Sequence, residues 1–362
     1  MALRRAGPIS FLASEEGHPA AQYHESLPDP LVTVVIPTLA ADARLVECLE
    51  SLARQTLRDF EITVVDNSGN GQARKANLPG AVHILESGRN AGFGAAINRG
   101  VEASHAPLIA VLNDDAAPHP RWLESLVDAI QRRPDAGMCA SQVRLHGEER
   151  LDSAAMLVAP DGSSKQRGHG HLPEDYPEAE EALFPSGSAA LYRRAMLDEI
   201  GLFDESFFLY CEDTDLGLRA RWAGWKCLYV PDAVVEHHYS HSAGRVSRLK
   251  AYFVERNRLF VVAKNFPARM LARVPFATAA RYLWHLWYAF QGRGAAARFR
   301  AEGNGASRMA WYVLRAHFAL LASVRRLWRE RRRIRERARI TPRVFRRLIA
   351  GHSISARKVA QL

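Results

Sequence analysis

Cysteine is scarce in this chain of 362 residues. Cys48, Cys139, Cys211 and Cys227 are the whole set, with no metal-like spacing. Neither a disulfide framework nor a cysteine metal site is expected, and a reducing compartment fits. No stretch of about 18 uncharged apolar residues occurs, so no spanning helix is expected. The opening segment, MALRRAGPIS, holds no apolar run long enough for a secretory signal. There is no internal repeat, no Gly-Lys-Ser/Thr phosphate loop, and no glycine spacing of a dinucleotide fingerprint. These absences argue against disulfide-stapled, membrane-spanning, repeat, P-loop and dehydrogenase classes.

Lysine is missing where charge is densest. Residues 321–350 hold twelve Arg, no Lys and two Glu, a local balance of +10 that equals the net charge of the whole chain. The rest of the molecule is therefore neutral in sum, and the basic character belongs to one segment. Leu320, Leu321, Val324, Leu327 and Trp328 are interleaved with those arginines, and residues 271–290 are rich in Trp and Tyr. An aromatic, Arg-rich amphipathic helix suits an anionic membrane surface. A contact with such a surface through 270–350 is expected, and a helical subdomain packed on the core or a homo-oligomer contact are the other uses open to it. No nucleic-acid-binding motif accompanies the charge, so no nucleic-acid partner is expected.

What the chain does have is an ordinary globular composition, 48% hydrophobic and 24% charged. Residues 1–30 are proline-containing and aperiodic, and read as an irregular leader. A β/α alternation then begins. LVTVVIP (31–37), EITVVD (61–66), residues 82–85, LIAVL (108–112) and 137–143 read as strands, and 42–56, 92–101 and 122–130 as helices. That order predicts an α/β fold with a mostly parallel, doubly wound sheet, whose ligands bind at the carboxyl ends of the strands. Residues 161–181 read as a long loop, 187–200 and 212–223 as helices, 226–230 and 233–236 as strands. Residues 246–264 and 309–339 read as further helices.

Five clusters carry candidate chemistry. Asn113-Asp114-Asp115 follows a strand, where paired carboxylates suit Mg²⁺ or Mn²⁺ shared with phosphates. Asp66-Asn67-Ser68-Gly69 follows another and offers a carboxylate to a base or ribose. The run from Asn90 through Gly94 to Gly100 is a glycine-rich turn entering a helix, a place that favours phosphate. Glu212-Asp213-Thr214-Asp215 opens a helix after the apolar FFLYC, and one of its acids suits a general base. His237-His238 offers an imidazole to a metal site. Each cluster also has an ordinary reading, as a turn, a helix cap or plain surface.

Their order and content resemble the family 2 glycosyltransferases, in particular a rhamnosyltransferase-like bacterial branch. The resemblance rests on VTVVIPTLAADARLVECLESLARQT, EITVVDNSG, GRNAGFGAAINRGV, VLNDDA, the segment from FPSGSAALYRRAMLDEIGLFDE to VVEHHYSHS, and FVERNRLFVVAKNFP. It implies a GT-A type domain over 31–267, with a nucleotide-binding half (31–145) and an acceptor half (146–267), followed by a basic amphipathic helical extension (268–362). It implies an inverting transfer of a sugar, rhamnose by analogy, from a nucleotide-diphosphate donor to a hydroxyl of a glycan or lipid-linked acceptor in cell-envelope polysaccharide synthesis. Pro37, Thr38, Asp66, Asn90, Gly94, Asp114 and Ser242 would serve the donor. Asp115 and His237 would hold Mg²⁺ or Mn²⁺, with His238 the neighbouring candidate. Asp213 would be the catalytic base and Glu212 its partner. The sequence departs from the pattern at EHHYSHS, where glycines are usual. A cytoplasmic protein, peripheral on the inner face of the membrane, follows. The competing readings are a sugar nucleotidyltransferase, for which TLAADAR is a poor triphosphate loop, and a non-catalytic scaffold recruited through its basic tail.

Overall fold

Val32–Thr38 is buried at every position and forms an interior strand, β1, of a ten-stranded sheet. The computed structural model describes residues 29–238, 248–301 and 305–361, so the irregular leader falls almost wholly outside the described residues. After β1 come α1 (Ala43–Ala53), β2 (Phe60–Asp66), the short α2 (Gln72–Lys75), β3 (His83–Glu86), α3 (Phe93–Glu102) and β4 (Leu108–Leu112). β1 pairs in parallel with both β2 and β4, and β2 with β3. The apolar runs are nearly continuous because both faces are covered. Val35, Val65 and Val111 face one core, and Val34, Ile36, Val64, Ala110 and Leu112 face the other. α1 seals the second core with Leu45, Cys48, Leu49 and Leu52, and Asp42 caps it by accepting from the Arg44 N–H at 3.0 Å.

The chain continues through β5 (Ala116–Pro118), α4 (Trp122–Gln131), β6 (Ala136–Leu145), β7 (Leu151–Ala154) and the hairpin β8 (Met156–Val158) with β9 (Ser164–Gln166). β10 (Glu180–Ala182), β11 (Ala189–Arg193), α5 (Arg194–Ile200), α6 (Glu212–Trp222) and β12 (Lys226–His237) complete the sheet. Its order is β10-β12-β6-β11-β4-β1-β2-β3, with β5 on β12 and β7 on β6. The α/β reading holds, with three refinements. Residues 187–200 are not one helix: β11 runs antiparallel between β4 and β6 before α5 begins. The stretch 226–236 is one strand carrying a bulge between Val230 and Val234, parallel to β6. The segment 161–181 is not a bare loop, since it contains β9, a 3₁₀ turn at Pro173–Asp175 and the start of β10, and Asp161 is 1% exposed.

Helices follow: α7 (Arg248–Asn265), α8 (Ala268–Leu271), α9 (Val274–Phe290), α10 (Gly294–Ala301), α11 (Ala306–Ala322), α12 (Val324–Glu336), α13 (Pro342–Gly351) and α14 (Ala356–Gln361). The long basic helix expected over 309–339 is broken at Ser323 into α11 and α12. These helices pack on the α/β part. Phe345 stacks on Trp222 at 4.1 Å between ring centres, and the Arg339 N–H donates to the Trp222 carbonyl. α7 is fastened to α6 by buried charge: Lys264 reaches Asp215 and Asp204, each at 2.7 Å, and Asn265 donates to Asp215 at 2.9 Å. Breaking one partner of such a buried pair typically costs about 3–5 kcal/mol. No described helix is long and apolar enough to cross a membrane.

Candidate functional site

The parallel register brings the strand ends together. Pro37 and Thr38 end β1, and Thr38 lies opposite Asp66 at the end of β2. Asp66 accepts from the Ser68 N–H at 2.9 Å, the Ser68 hydroxyl at 2.5 Å and the Ala73 N–H at 2.7 Å. Burial pushes its pKa up, but these hydrogen bonds outweigh it and hold the carboxyl below its ordinary range. Asp66 borders a cleft of about 300 Å³ lined also by Gly69, Gly71, Arg74, Lys75 and Glu86. Asn67, buried beside it, shapes the glycine-rich turn. Its amide donates to the Asn90 side chain and the Gly92 carbonyl, and its oxygen accepts from the Ala91 N–H. Asn90 in turn accepts from the Gly92 N–H at 3.0 Å. Gly92 has φ +96°, and a Cβ there would lie 2.3 Å from the Phe208 carbonyl oxygen. Only glycine allows that approach. Gly94, on the first turn of α3, lies against Phe203 and Glu212.

Asp114 and Asp115 follow β4. Burial raises the Asp114 pKa to about 6, with Asp115 and Asp42 adding repulsion against a hydrogen bond from Thr38. Asp115 meets His237, for a topological reason: β5 and β12 pair antiparallel with His237 opposite Ala116. The His237 Nε2 lies 3.2 Å from the Asp115 carboxylate. Its Nδ1 lies 2.9 Å from Asp152 on β7, which also holds His169 at 3.3 Å. Burial alone would lower the His237 pKa, but the two carboxylates raise it to about 10. His237 in turn holds Asp115, and His169 with His237 holds Asp152, below the ordinary range despite burial. His238 turns elsewhere. It reaches Glu47 at 3.1 Å and stacks on His146 at 3.7 Å. His237 is thus the histidine beside the Asp pair.

The acid cluster of α6 joins this wall through β11. Because β11 runs antiparallel to β4, Ser188 lies beside the end of β4, and its carbonyl accepts from the Asn113 N–H at 2.9 Å. The preceding Gly187 donates its N–H to Asp213 at 3.2 Å, while Thr214 donates backbone N–H and hydroxyl to the other oxygen of that carboxylate. Glu212 is 6% exposed, and its Oε2 has no hydrogen-bond partner among the described residues. Burial, then the charge of Asp213, pushes the Glu212 pKa to about 8. Asp213 is raised by burial, against its hydrogen bonds. The third acid, Asp215, is spent on Arg219 and Lys264.

The approach to α6 is strained. Phe208, Tyr210 and Cys211 have φ of +63°, +70° and +66°. Asn257 on α7 holds them, its amide donating to the carbonyls of Phe207, Leu209 and Tyr210 at 2.9, 2.8 and 2.7 Å. Arg256 adds bonds to the Ser206 and Phe207 carbonyls. Asn67, Asp152 and Asn257 had no assigned role in the sequence. Asn67 and Asn257 sat within the quoted motifs, whereas nothing in the sequence marked Asp152. Ser242 lies outside the described residues.

Comparison with known proteins agrees with this geometry. Residues 28–260 match the family described as glycosyltransferase-like family 2. The N-acetylglucosaminyl-diphospho-decaprenol L-rhamnosyltransferase of Mycobacterium tuberculosis is 33% identical over 246 residues, covering 59% of this chain and 78% of the relative. The uncharacterized glycosyltransferase YwdF of Bacillus subtilis is 31% identical over 222 residues, covering 60% and 77%. The crystal structure of GalNAc-T7 with UDP, GalNAc and Mn²⁺ superposes with a TM-score of 0.55 at 16% identity, covering 71% of this chain and 51% of that one, a likeness of GT-A fold.

Proposed function

This chain belongs to glycosyltransferase family 2, and on that premise we propose that it is an inverting transferase moving a hexose from a nucleotide-diphosphate donor to a hydroxyl of a lipid-linked glycan acceptor. The observation that carries the reading is the buried Glu212–Asp213 pair beside the Asp114–Asp115 strand end. Rhamnose is the donor sugar suggested by the mycobacterial relative, and cell-envelope polysaccharide synthesis the setting. The domain boundaries at residues 31, 145 and 267 belong to this proposal too.

Asp213 is the base. Two backbone N–H groups fix its carboxylate, and its raised pKa brings it nearer the range useful for proton transfer. It takes the acceptor hydroxyl proton as that oxygen bonds to the anomeric carbon. The bond from that carbon to the nucleotide diphosphate breaks on the opposite face, and its electron pair leaves with the diphosphate. Glu212, with its unpartnered Oε2, accepts a hydrogen bond from the acceptor or tunes the base. Pro37, Thr38, Asp66 and Asp114 line the donor side. Asn90 and Gly94 shape the turn between the two sides, and Ser242 retains the donor role implied by its motif.

Asp115 and His237 suit Mg²⁺ or Mn²⁺. The Asp115 carboxylate and the His237 imidazole, 3.2 Å apart, would become neighbouring ligands of one ion once the metal replaces the ring proton that they share without it. Asp152 on the far nitrogen is the orienting carboxylate that metal-binding histidines commonly have. When bound, the ion neutralises charge on the departing diphosphate.

The helical part supports peripheral contact with an anionic membrane. α9 exposes Leu283, Leu286, Trp287 and Phe290, and α11 exposes Trp311, Leu314, Phe318 and Leu321, each at helical spacing. Exposed apolar stripes near an Arg-rich helix fit a bilayer interface. Calorimetry with dTDP, UDP and GDP, with and without Mn²⁺, tests the enzyme. Metal-dependent binding of one nucleotide that disappears in Asp115→Ala is expected, with turnover abolished and donor binding kept in Asp213→Asn. Binding of none of the three by folded protein, or an active Asp213→Asn, would sink the reading. Failure of the full chain to pellet with anionic vesicles at low salt would sink the membrane contact.

A further inference from the structure

β6 and β12 run parallel and end in register, with Leu145 opposite His237. The residues that follow them, His146 and His238, are therefore carried to the same edge of the sheet. Backbone bonds hold both there. The His146 N–H donates to the His237 carbonyl at 3.0 Å, and the His238 N–H donates to the Asp115 carbonyl at 3.0 Å. The two imidazoles stack, with 3.7 Å between ring centres and 26° between planes. α1 supplies a third group. Its apolar side, with Leu45, Cys48, Leu49 and Leu52, is sealed in the core. Glu47 is left half-buried at the rim, 3.1 Å from the His238 Nε2. One oxygen of Glu47 and one nitrogen of each ring lie within 4.8 Å of one another.

A hydrogen-bonded pair accounts for only two of these groups. His146 is exposed, and its ring nitrogens bond no other described residue. A third donor atom at the same rim is something a cation can use. The donor set selects the ion. Two imidazoles and one carboxylate, with the fourth position left to water, suit Zn²⁺, whereas Mg²⁺ and Ca²⁺ favour oxygen throughout. Ligand atoms on a four-coordinate zinc lie about 3.4 Å apart. The ion would take the place of the hydrogen bond between Glu47 and His238, and side-chain rotation at the exposed His146 would close the rest. The Asp115–His237 pair is a different place. His237 is buried and its Nδ1 is held by Asp152, whereas this cluster opens to solvent at His146.

We infer that Glu47, His146 and His238 form a Zn²⁺ site separate from the Asp115–His237 pair, and that zinc there fastens α1 to the ends of β6 and β12. The ligands come from three segments distant in the chain, so the ion binds the folded state and stabilises it. The site stands independently of the transferase reading.

The test is calorimetry with Zn²⁺ on the full, untagged chain stripped of metal. Asp115→Ala serves as the background throughout, because Asp115 and His237 can take zinc too. One zinc should bind in that background, and excess Mg²⁺ should not displace it. Losing an outer partner of a metal ligand costs about 10- to 100-fold in affinity, so adding His146→Ala or Glu47→Gln, which removes a ligand itself, should cost roughly 100-fold or more. Both side chains stand at the rim, so the fold should hold, and circular dichroism checks this. Co²⁺ adds a spectroscopic reading: its visible absorption should appear on binding and vanish with His146→Ala. Zinc should raise the melting midpoint of the background protein and leave that of the His146→Ala form unchanged. No zinc binding by folded Asp115→Ala would overturn the site, and if the wild type binds zinc the ion then belongs to the Asp115–His237 pair. Unchanged affinity after His146→Ala would overturn it as well.

Discussion

Replacing Asn257 by Ala should disable the site without touching a group that meets substrate. The two N–H bonds of the Asn257 amide are shared among three carbonyls, of Phe207, Leu209 and Tyr210. A net hydrogen bond contributes about 1 kcal/mol, and a buried acceptor left alone costs about 1–3 kcal/mol. A loss of about 2–4 kcal/mol is therefore expected. Opposing that bond set is the strain of three non-glycine residues at positive φ, roughly 1–3 kcal/mol each. With the clamp gone, the strained stretch relaxes towards negative φ and carries with it Cys211, the N-cap of α6, and then Glu212 and Asp213. A displacement near 1 Å at the reacting groups costs on the order of 100-fold in rate. The assay is transfer rate at a temperature where thermal melting shows the variant fully folded, alongside donor binding. A rate down by roughly 100-fold with nucleotide affinity much less affected is expected, since the Asn257 amide bonds carbonyls on the approach to α6 and not the strand ends that carry Thr38, Asp66 and Asp114. Asn257→Asp is the sharper control. It keeps the shape but sets a carboxylate against three carbonyl oxygens, so it should be worse than Ala. A mild Asp variant, or an Ala variant with full activity, would refute the reasoning.

Glu212 and Asp213 hold their protons more tightly folded than unfolded. Stability should therefore fall as pH rises from about 4.5 to about 8; Glu212→Gln should be more stable than wild type at pH 8 and equal near pH 4, by denaturant titration, and equal stability at pH 8 would remove the basis for the raised pKa. Asp152→Asn, which removes the carboxylate orienting His237, should weaken Mn²⁺ binding by about 10- to 100-fold; an unchanged affinity would place the metal elsewhere. Gly92→Ala, forced against the Phe208 carbonyl, should lower thermal stability and activity together, and a neutral outcome would show that the turn adapts.

Much of the donor side was legible along the chain. The apolar runs of β1, β2 and β4 name buried parallel strands, and parallel strands put Thr38, Asp66 and Asp114 at one edge by register alone. The acid cluster at 212–215 was equally visible, but its division of labour was not. Asp215 looks like its neighbours in sequence, and Arg219 together with Lys264, 49 residues later, turns it into a structural ion-pair partner. Residues 187–200 were misread because SGSAALYRRAM carries small residues and Arg that suit a helix. Pairing with β4 and β6 on both sides overrode that propensity.

The sequence by itself determined the layered α/β order, the Asp pair after β4 and the amphipathic, arginine-rich character of the last third, because periodicity and strand-end polarity are local properties. The tertiary structure decided which groups meet. Antiparallel β11 brought Gly187 to Asp213, β5 on β12 set His237 rather than His238 against Asp115, and β7 supplied Asp152 behind it. α7 supplied Asn257 as the clamp on the strained entry to α6. Each is a contact between segments distant in the chain, fixed by strand direction and register, and no local pattern of residues records these.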